Sequence, residues 1–133
     1  MSVEDPVYPL SSSEKAGKSS VSNTKIESID EALVTRVLAI NSRCRRLNLS
    51  CNLITCNNID EAALSRLSSM LVYLNLSSNR LEGEVPKAFA VLTSLQALDL
   101  SRNDLVDIKA LSGLKSLRRL DLAHNKISRW DQL

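Results

Sequence analysis

The chain of 133 residues has few aromatic residues, one histidine, three cysteines and no long apolar run. The aromatic fraction is 3%, so the core must be built mostly from aliphatic side chains, among which leucine recurs most often. Packing by repetition produces this composition. With 44% hydrophobic residues, a chain of this length can bury one core but hardly two.

Neither sign of charge dominates, because 17 basic and 15 acidic residues leave a net charge of +2. This balance indicates neither nucleic acid nor an anionic membrane surface as a partner. The N-terminus lacks a basic segment followed by an apolar run, and no stretch approaches the roughly 18 apolar residues that span a bilayer. We therefore expect a cytoplasmic protein that is not secreted, with a nuclear or cytoskeletal (axonemal) location left open. Glu4, Asp5 and Glu14, with no arginine before Arg36, disfavour a mitochondrial address.

The cysteines are Cys44, Cys51 and Cys56, an odd number within one short region. A disulfide framework is therefore not expected. A zinc site would need a fourth ligand, and the single histidine, His124, lies too far along the chain to complete a recognised spacing. The sequence predicts reduced, mostly buried thiols, no metal and no cofactor.

Residues 1–25 are rich in serine and lysine and have almost no apolar periodicity, which predicts a disordered tail. An N-terminal capping helix is predicted within residues 26–43, where Ser28 and Glu31 fit a capping box. Its apolar stripe consists of Ile29, Leu33, Val37 and Ile40.

A second helix is predicted where "NIDEAALSRL" repeats the "IDEA" of residues 29–32. Asn58 or Asp60 can start it. Its apolar face consists of Ile59, Ala63, Leu64 and Leu67. The shared tetrapeptide indicates internal duplication.

Four related segments follow one another along the chain. They read "RCRRLNLSCNLI" at 43–54, "MLVYLNLSSNRL" at 70–81, "SLQALDLSRNDL" at 94–105 and "SLRRLDLAHNKI" at 116–127. Their second paired leucines, Leu49, Leu76, Leu100 and Leu122, are 27, 24 and 22 residues apart. Periods of this size are typical of solenoid proteins.

At these residues the chain resembles the leucine-rich repeat family, whose pattern is L-x-x-L-x-L-x-x-N-x-L. Cys44 replaces the first leucine of the first copy. Isoleucine occupies the last apolar position of the first copy, Ile54, and of the fourth, Ile127. The resemblance implies an α/β solenoid over residues 44–133, with four repeats, the last incomplete. It also implies short parallel strands on the concave face and helical or irregular connectors on the convex face.

Within each L-x-L the leucines should point inward and the residue between them outward, as strand alternation requires. An asparagine follows each strand at the point where the chain turns: Asn52, Asn79, Asn103 and Asn125. Because an amide both donates and accepts, a stacked asparagine ladder can pair the backbone groups left at these turns. These four residues are predicted to be structural.

The connectors differ from one another. "LEGEVPKAFAVLTSL" resembles the G-x-I-P type of plant repeats, with Phe89 and Leu92 as core residues. The next resembles the compact 22-residue type, with Ile108, Leu111 and Leu114 inward. The chain stops within the fourth return path, near Trp130 and Leu133, so that end is expected to be covered by a partner or by further chain.

Outward positions of the four strands should form three columns on one concave surface. Leucine-rich repeat proteins commonly bind partner proteins there, and Tyr and Arg are favoured at interface hot spots. The predicted partner-binding residues are Arg46, Asn48, Tyr73, Asn75, Asp99, Arg119 and Asp121.

No catalytic residues are predicted. His124 has no nucleophile beside it, and no phosphate-binding, dinucleotide-binding or zinc-protease motif occurs. The leading hypothesis is a non-catalytic interaction scaffold or regulatory adaptor for a protein partner, without a small-molecule substrate. Residues 107–127 resemble regulators of protein phosphatase 1 and the light chain of axonemal dynein.

Two alternatives remain open. An extracellular receptor-like module is suggested by "LEGEVP" and by the glycosylation sequons at Asn48 and Asn75. A ribonucleoprotein component is the second, since one spliceosomal protein has similar repeats. The partner, the subfamily and the oligomeric state are left open.

Overall fold

The structure is a computed structural model, and it describes residues 18–128. Predictions for residues 1–17 and for Trp130 and Leu133 lie outside this range. The helices are α1 (Glu31–Ile40) and α2 (Glu61–Ser65). The strands are β1 (Lys18–Ser20), β2 (Arg46–Asn48), β3 (Tyr73–Asn75), β4 (Glu82–Glu84), β5 (Ala97–Asp99), β6 (Asp104–Asp107) and β7 (Arg119–Asp121). Short 3-10 segments are Cys56–Asn58, Lys87–Val91 and Lys109–Gly113.

Five strands form one parallel sheet in the order β1-β2-β3-β5-β7. The paired residues are level from strand to strand, with Leu47 opposite Leu74, Leu74 opposite Leu98 and Leu98 opposite Leu120. A second parallel sheet, β4 with β6, lies on the return paths of two neighbouring turns. This arrangement confirms the predicted α/β leucine-rich repeat solenoid.

The predicted disordered tail is wrong for residues 18–25, because β1 pairs with β2 in register. Val21 occupies the place of a second paired leucine: it is 2% exposed, and its N–H donates to the Asn48 carbonyl at 2.8 Å. Ser19 stands where the first paired leucine would be, and it is buried as well. Because serine stands where the repeat pattern requires leucine, this strand was not predicted from the sequence.

The first helix begins later than predicted. Asp30, not Ser28, caps it, and its Oδ1 accepts from the Leu33 N–H at 2.9 Å. The Ser28 hydroxyl instead donates to the other oxygen of Asp30 at 2.9 Å. An aspartate at this place is as good a cap as a serine, so the capping box was not needed.

The predicted apolar stripe is also partly wrong. Ile29 precedes the helix and forms a parallel bridge with Ile59, while Ile40 is 41% exposed. The buried helical residues are Leu33, Val34 and Val37. Within the described residues the first turn of the solenoid thus contains a strand, β1, before α1, and is not a helix alone.

The other connectors follow the predictions only in part. Helix α2 is shorter than predicted, since Ile59 precedes it and Leu67 follows it, and the pairing of β4 with β6 was not predicted. Asp60 caps α2 by accepting from the Ala62 N–H at 3.0 Å. The predicted inward residues of three connectors are all buried: Ile59, Ala63, Leu64, Leu67, Phe89, Leu92, Ile108, Leu111 and Leu114. The last two connectors return through 3-10 segments. A 3-10 helix rises about 2.0 Å per residue, so it covers a given distance with fewer residues than an α-helix. Cys44 is fully buried at the place of a leucine, as expected.

The asparagine ladder is present as predicted. The Nδ2 of Asn79 donates to the Leu49 carbonyl of the preceding turn and to the Leu76 carbonyl of its own, both at 3.0 Å. Its Oδ1 accepts from the Ile54 N–H at 3.1 Å. Asn52, Asn103 and Asn125 repeat this pattern. The amides therefore bind each turn to the one before it.

No helix within residues 18–128 has both the length and the apolar character needed to cross a bilayer.

Candidate interaction surface

All seven predicted partner-binding residues lie on the outward face of the five-stranded sheet, here called the concave face. The first column aligns Arg46, Tyr73, Ala97 and Arg119, and the second aligns Asn48, Asn75, Asp99 and Asp121. Parallel strands stack about 4.8 Å apart, so neighbours in a column are close enough to touch one ligand. The structure brings the predicted residues together, while binding by them stays a prediction.

The sequence missed one edge of this surface. β1 adds Lys18 to the first column, opposite Arg46, and Ser20 to the second, opposite Asn48. The available signal was Val21, which precedes Leu49 by one repeat length of 28 residues. Asn23 also adopts the positive φ of 57° that Cys51 has at the corresponding place of the next turn.

Tyr73 occupies the middle of the concave face. The Arg46 guanidinium lies over its ring, with Cζ 4.8 Å from the ring centroid. Cation–π contacts of this kind hold a side chain at a defined place on an exposed sheet. The contact favours a position of the half-buried ring between the two ends of the face.

A cavity adjoins the ring on each side. One of about 250 Å³ is lined by residues of β1 to β3, including Lys18, Ser20 and Arg46. The other, of about 360 Å³, is lined by residues of β3, β5 and β7, including Asp99 and Arg119. The short side chain of Ala97 leaves this second space open next to Tyr73.

The side chains of the second column are oriented by hydrogen bonds from the backbone just after each strand. In each turn the Oδ1 atom accepts from the backbone N–H two residues later, at 2.9 Å for Asn48, Asn75 and Asp99 and 3.0 Å for Asp121. The second terminal atom of each side chain is then left for a ligand. It is an amide nitrogen in Asn48 and Asn75, and a carboxylate oxygen in Asp99 and Asp121.

Two larger cavities lie away from the concave face. One of about 730 Å³ follows the edge where the strands begin and is lined by Arg43, Arg45, Met70 and several hydroxyl side chains. Another of about 560 Å³ lies between two return segments, next to Lys87 and Gly113. Neither gathers the residues that the sequence singled out. Like the two beside Tyr73, they are open surface depressions.

Two features of a catalytic site, a metal-binding cluster and a reactive thiol, can be checked in the part of the chain that the structure describes. No three His, Cys, Asp or Glu side chains among residues 18–128 are placed to hold a metal ion. Burial raises the pKa of the Cys44 thiol above its ordinary value, which disfavours the nucleophilic thiolate. All three cysteines are free thiols. The prediction of mostly buried thiols is wrong, since only Cys44 is buried, while Cys56 is half-buried and Cys51 is exposed.

Comparison with known proteins agrees with the geometry. Mouse keratocan is 39% identical over 107 residues, which cover 79% of this chain and 28% of keratocan. The leucine-rich repeat domain of APL1B superposes with a TM-score of 0.69 at 21% identity, over 88% of this chain and 34% of that one. The plant peptide hormone receptor RGFR1, solved in complex with RGF2, has a TM-score of 0.50 at 26% identity, over 69% and 18% of the two chains.

The chain thus spans about a third or less of each of these proteins. The family model described as leucine rich repeat matches residues 42–105 and 69–127, which together cover more than half of the chain. The four stacked L-x-L strands and the asparagine ladder lie within these residues. The chain belongs to the leucine-rich repeat family.

Proposed function

We propose that this chain is a non-catalytic scaffold or adaptor that binds a partner protein on its concave face. The observation that carries the proposal is the placement of Tyr73, in contact with Arg46 and between two cavities on an exposed sheet. Tyr and Arg are enriched among the residues that carry most of the binding energy of protein interfaces. Tyr buries a large area at a small cost in conformational entropy. The RGFR1 structure supports the proposal, since that relative is seen in complex with RGF2.

The test compares the partners retained by two double variants of the full chain. Tyr73→Ala with Arg119→Ala removes two residues of the first column. Arg80→Ala with Lys109→Ala removes two exposed residues outside the concave face and serves as the matched control. Proteins that co-purify with the wild type and the control should be lost from the first variant. Identical partners for both would contradict the proposal, provided that circular dichroism shows both variants folded.

A receptor-like extracellular module is the second candidate, favoured by the likeness to RGFR1. The sequon residues Asn48 and Asn75 lie side by side on the concave face, and their Oδ1 atoms are engaged with the Ser50 and Ser77 N–H groups. A glycan on either would cover the surface proposed to bind the partner. Glycan mass on the protein from a secreting host would therefore favour this candidate and weigh against the first.

We keep the cytoplasmic location as part of the proposal. It is supported by the exposed free thiol of Cys51, since free thiols are typical of reducing compartments. The absence of nucleic acid among the partners rests on the balanced charge alone. Salt-dependent RNA binding by the chain would bring the ribonucleoprotein candidate forward.

A further inference from the structure

The concave face differs in electrostatic character between its two ends. Lys18 and Arg46 stand at the end formed by β1 and β2. Asp99 and Asp121 stand at the end formed by β5 and β7. Within the two columns Arg119 is the one described cation of the second end, so the side chains of the columns give formal charges of +2 and −1 for the two ends.

The hydrogen bonds of the second column sharpen this difference. Because each Oδ1 is held by a backbone N–H, Asn48 and Asn75 must direct Nδ2, a donor, away from that bond. Asp99 and Asp121 in the same orientation present Oδ2, an acceptor that carries negative charge. Along the column the free atoms therefore change from donor to acceptor between β3 and β5.

We propose that the concave face binds an extended protein segment carrying one acidic and one basic side chain, and that these charges fix the direction in which the segment lies. This inference rests on the proposed function and adds the chemistry of the partner. The acidic side chain would contact Lys18, Arg46 and the amide of Asn48. The basic one would enter the cavity beside Tyr73 and pair with Asp99 or Asp121.

The spacing of the two charges follows from the fold. The centres of the two ends lie three strand spacings apart, or roughly 14 Å. An extended chain advances about 3.4 Å per residue, so the two charged residues should be about four residues apart. The ring of Tyr73 lies between them and can accept an apolar side chain on the face that Arg46 leaves free.

The experiment selects phage-displayed 12-residue peptides against the full chain and measures the affinity of the synthetic peptides. Enriched peptides should carry an acid and a base about four residues apart, and Tyr73→Ala should weaken their binding. Asp99→Asn with Asp121→Asn keeps each Oδ1 acceptor and replaces the charged Oδ2 acceptor by an amide donor. This variant should lower the affinity about fivefold, the scale of one exposed ion pair.

Direction is read by a photo-crosslinker placed on one end of a selected peptide. On the wild type the crosslinks should fall at one end of the solenoid. The fourfold variant Asn48→Asp, Asn75→Asp, Asp99→Asn, Asp121→Asn has the same net charge, and its crosslinks should spread over both ends. Circular dichroism checks that the variants are folded.

Two negative results are distinguishable. If no selected peptide depends on Tyr73, the concave face is not a binding surface and the proposed function falls with the inference. If binding depends on Tyr73 but the peptides share no charge pattern, and the Asn and Asp variants leave affinity and direction unchanged, only the inference is overturned.

Discussion

The guanidinium of Arg46 lies over the ring of Tyr73, with Cζ 4.8 Å from the ring centroid, although the two residues are 27 positions apart in sequence. They meet because β2 and β3 pair in parallel register, which sets Arg46 directly opposite Tyr73. One repeat length of chain thus separates two residues that neighbour each other on the concave face. The same rule assembles every pair in the columns described above.

This contact should give a measurable coupling energy. In a double-mutant cycle on the free energy of unfolding, Arg46→Met and Tyr73→Leu should show a coupling of about 0.5 kcal/mol, as for an exposed cation–π pair. Arg119→Met with Tyr73→Leu is the control, since Arg119 is two strands away. Equal coupling in both cycles would mean that the contact contributes nothing specific.

The asparagine ladder should contribute measurably to the stability of each turn. Asn103 is 5% exposed, and its amide bonds the Leu76 and Leu100 carbonyls and the Leu81 N–H. Asn103→Ala leaves these buried groups unpaired and should lower the free energy of unfolding by about 3 kcal/mol in urea titrations.

The matched control for the ladder is Asn75→Ala. The side chain of Asn75 is half-buried and accepts a hydrogen bond from the Ser77 N–H, so its loss should cost about 1 kcal/mol or less. A similar loss for both variants would show that the ladder position has no special role.

The degenerate first turn should be a required part of the fold. Val21 is 2% exposed and belongs to the apolar core, so Val21→Asp should destabilise the chain by about 3 kcal/mol. Ser22→Asp places the same charge on the neighbouring, partly exposed residue and should be nearly neutral. Equal urea midpoints for the two variants would contradict the packing of β1 against the core.

The three thiols should differ in their reaction with iodoacetamide. Burial raises the pKa of Cys44, and burial together with the charge of Glu82 raises that of Cys56. A raised pKa lowers the thiolate fraction at pH 8, so both should react slowly, while exposed Cys51 should be modified first. Mass spectrometry of timed digests gives the order, and early modification of Cys44 would contradict its burial.

Stability should also depend on pH through Cys44. Because its pKa is raised in the folded state, the protonated thiol stabilises the fold fully below the ordinary thiol pKa. That contribution is lost as the pH rises through the higher folded value. Cys44→Ala should therefore show a smaller loss of stability than the wild type between neutral and alkaline pH, measured by urea unfolding.

The regular part of the fold could be predicted from the chain alone. Leucines at fixed offsets and an asparagine after each strand have one economical explanation, a stack of turns in which each covers the apolar side of the next. The inward residues of the connectors were found in the same way, as Phe89, Ile108 and Leu111 show. The residues of the two columns could be named because strand alternation is local.

The position at which the described solenoid begins could not be predicted in this way. Ser19 breaks the leucine pattern, and a three-residue strand gives too weak a signal unless its neighbour is known. β1 forms because β2 offers an unpaired edge and Leu47 and Leu49 offer an apolar surface, which only the assembled sheet presents. The first helix begins later than predicted for a similar reason, because Ile29 forms a parallel bridge with Ile59, a contact between two turns.

The sequence by itself determined the repeat, its period and the side on which each outward residue falls, because these depend on spacing within a single turn. Only the tertiary structure decided that Lys18 extends the surface, that Arg46 covers one face of Tyr73 and that a cavity opens beside Ala97. These features depend on register between strands that lie more than twenty residues apart, and register is set by the packing of whole turns against each other.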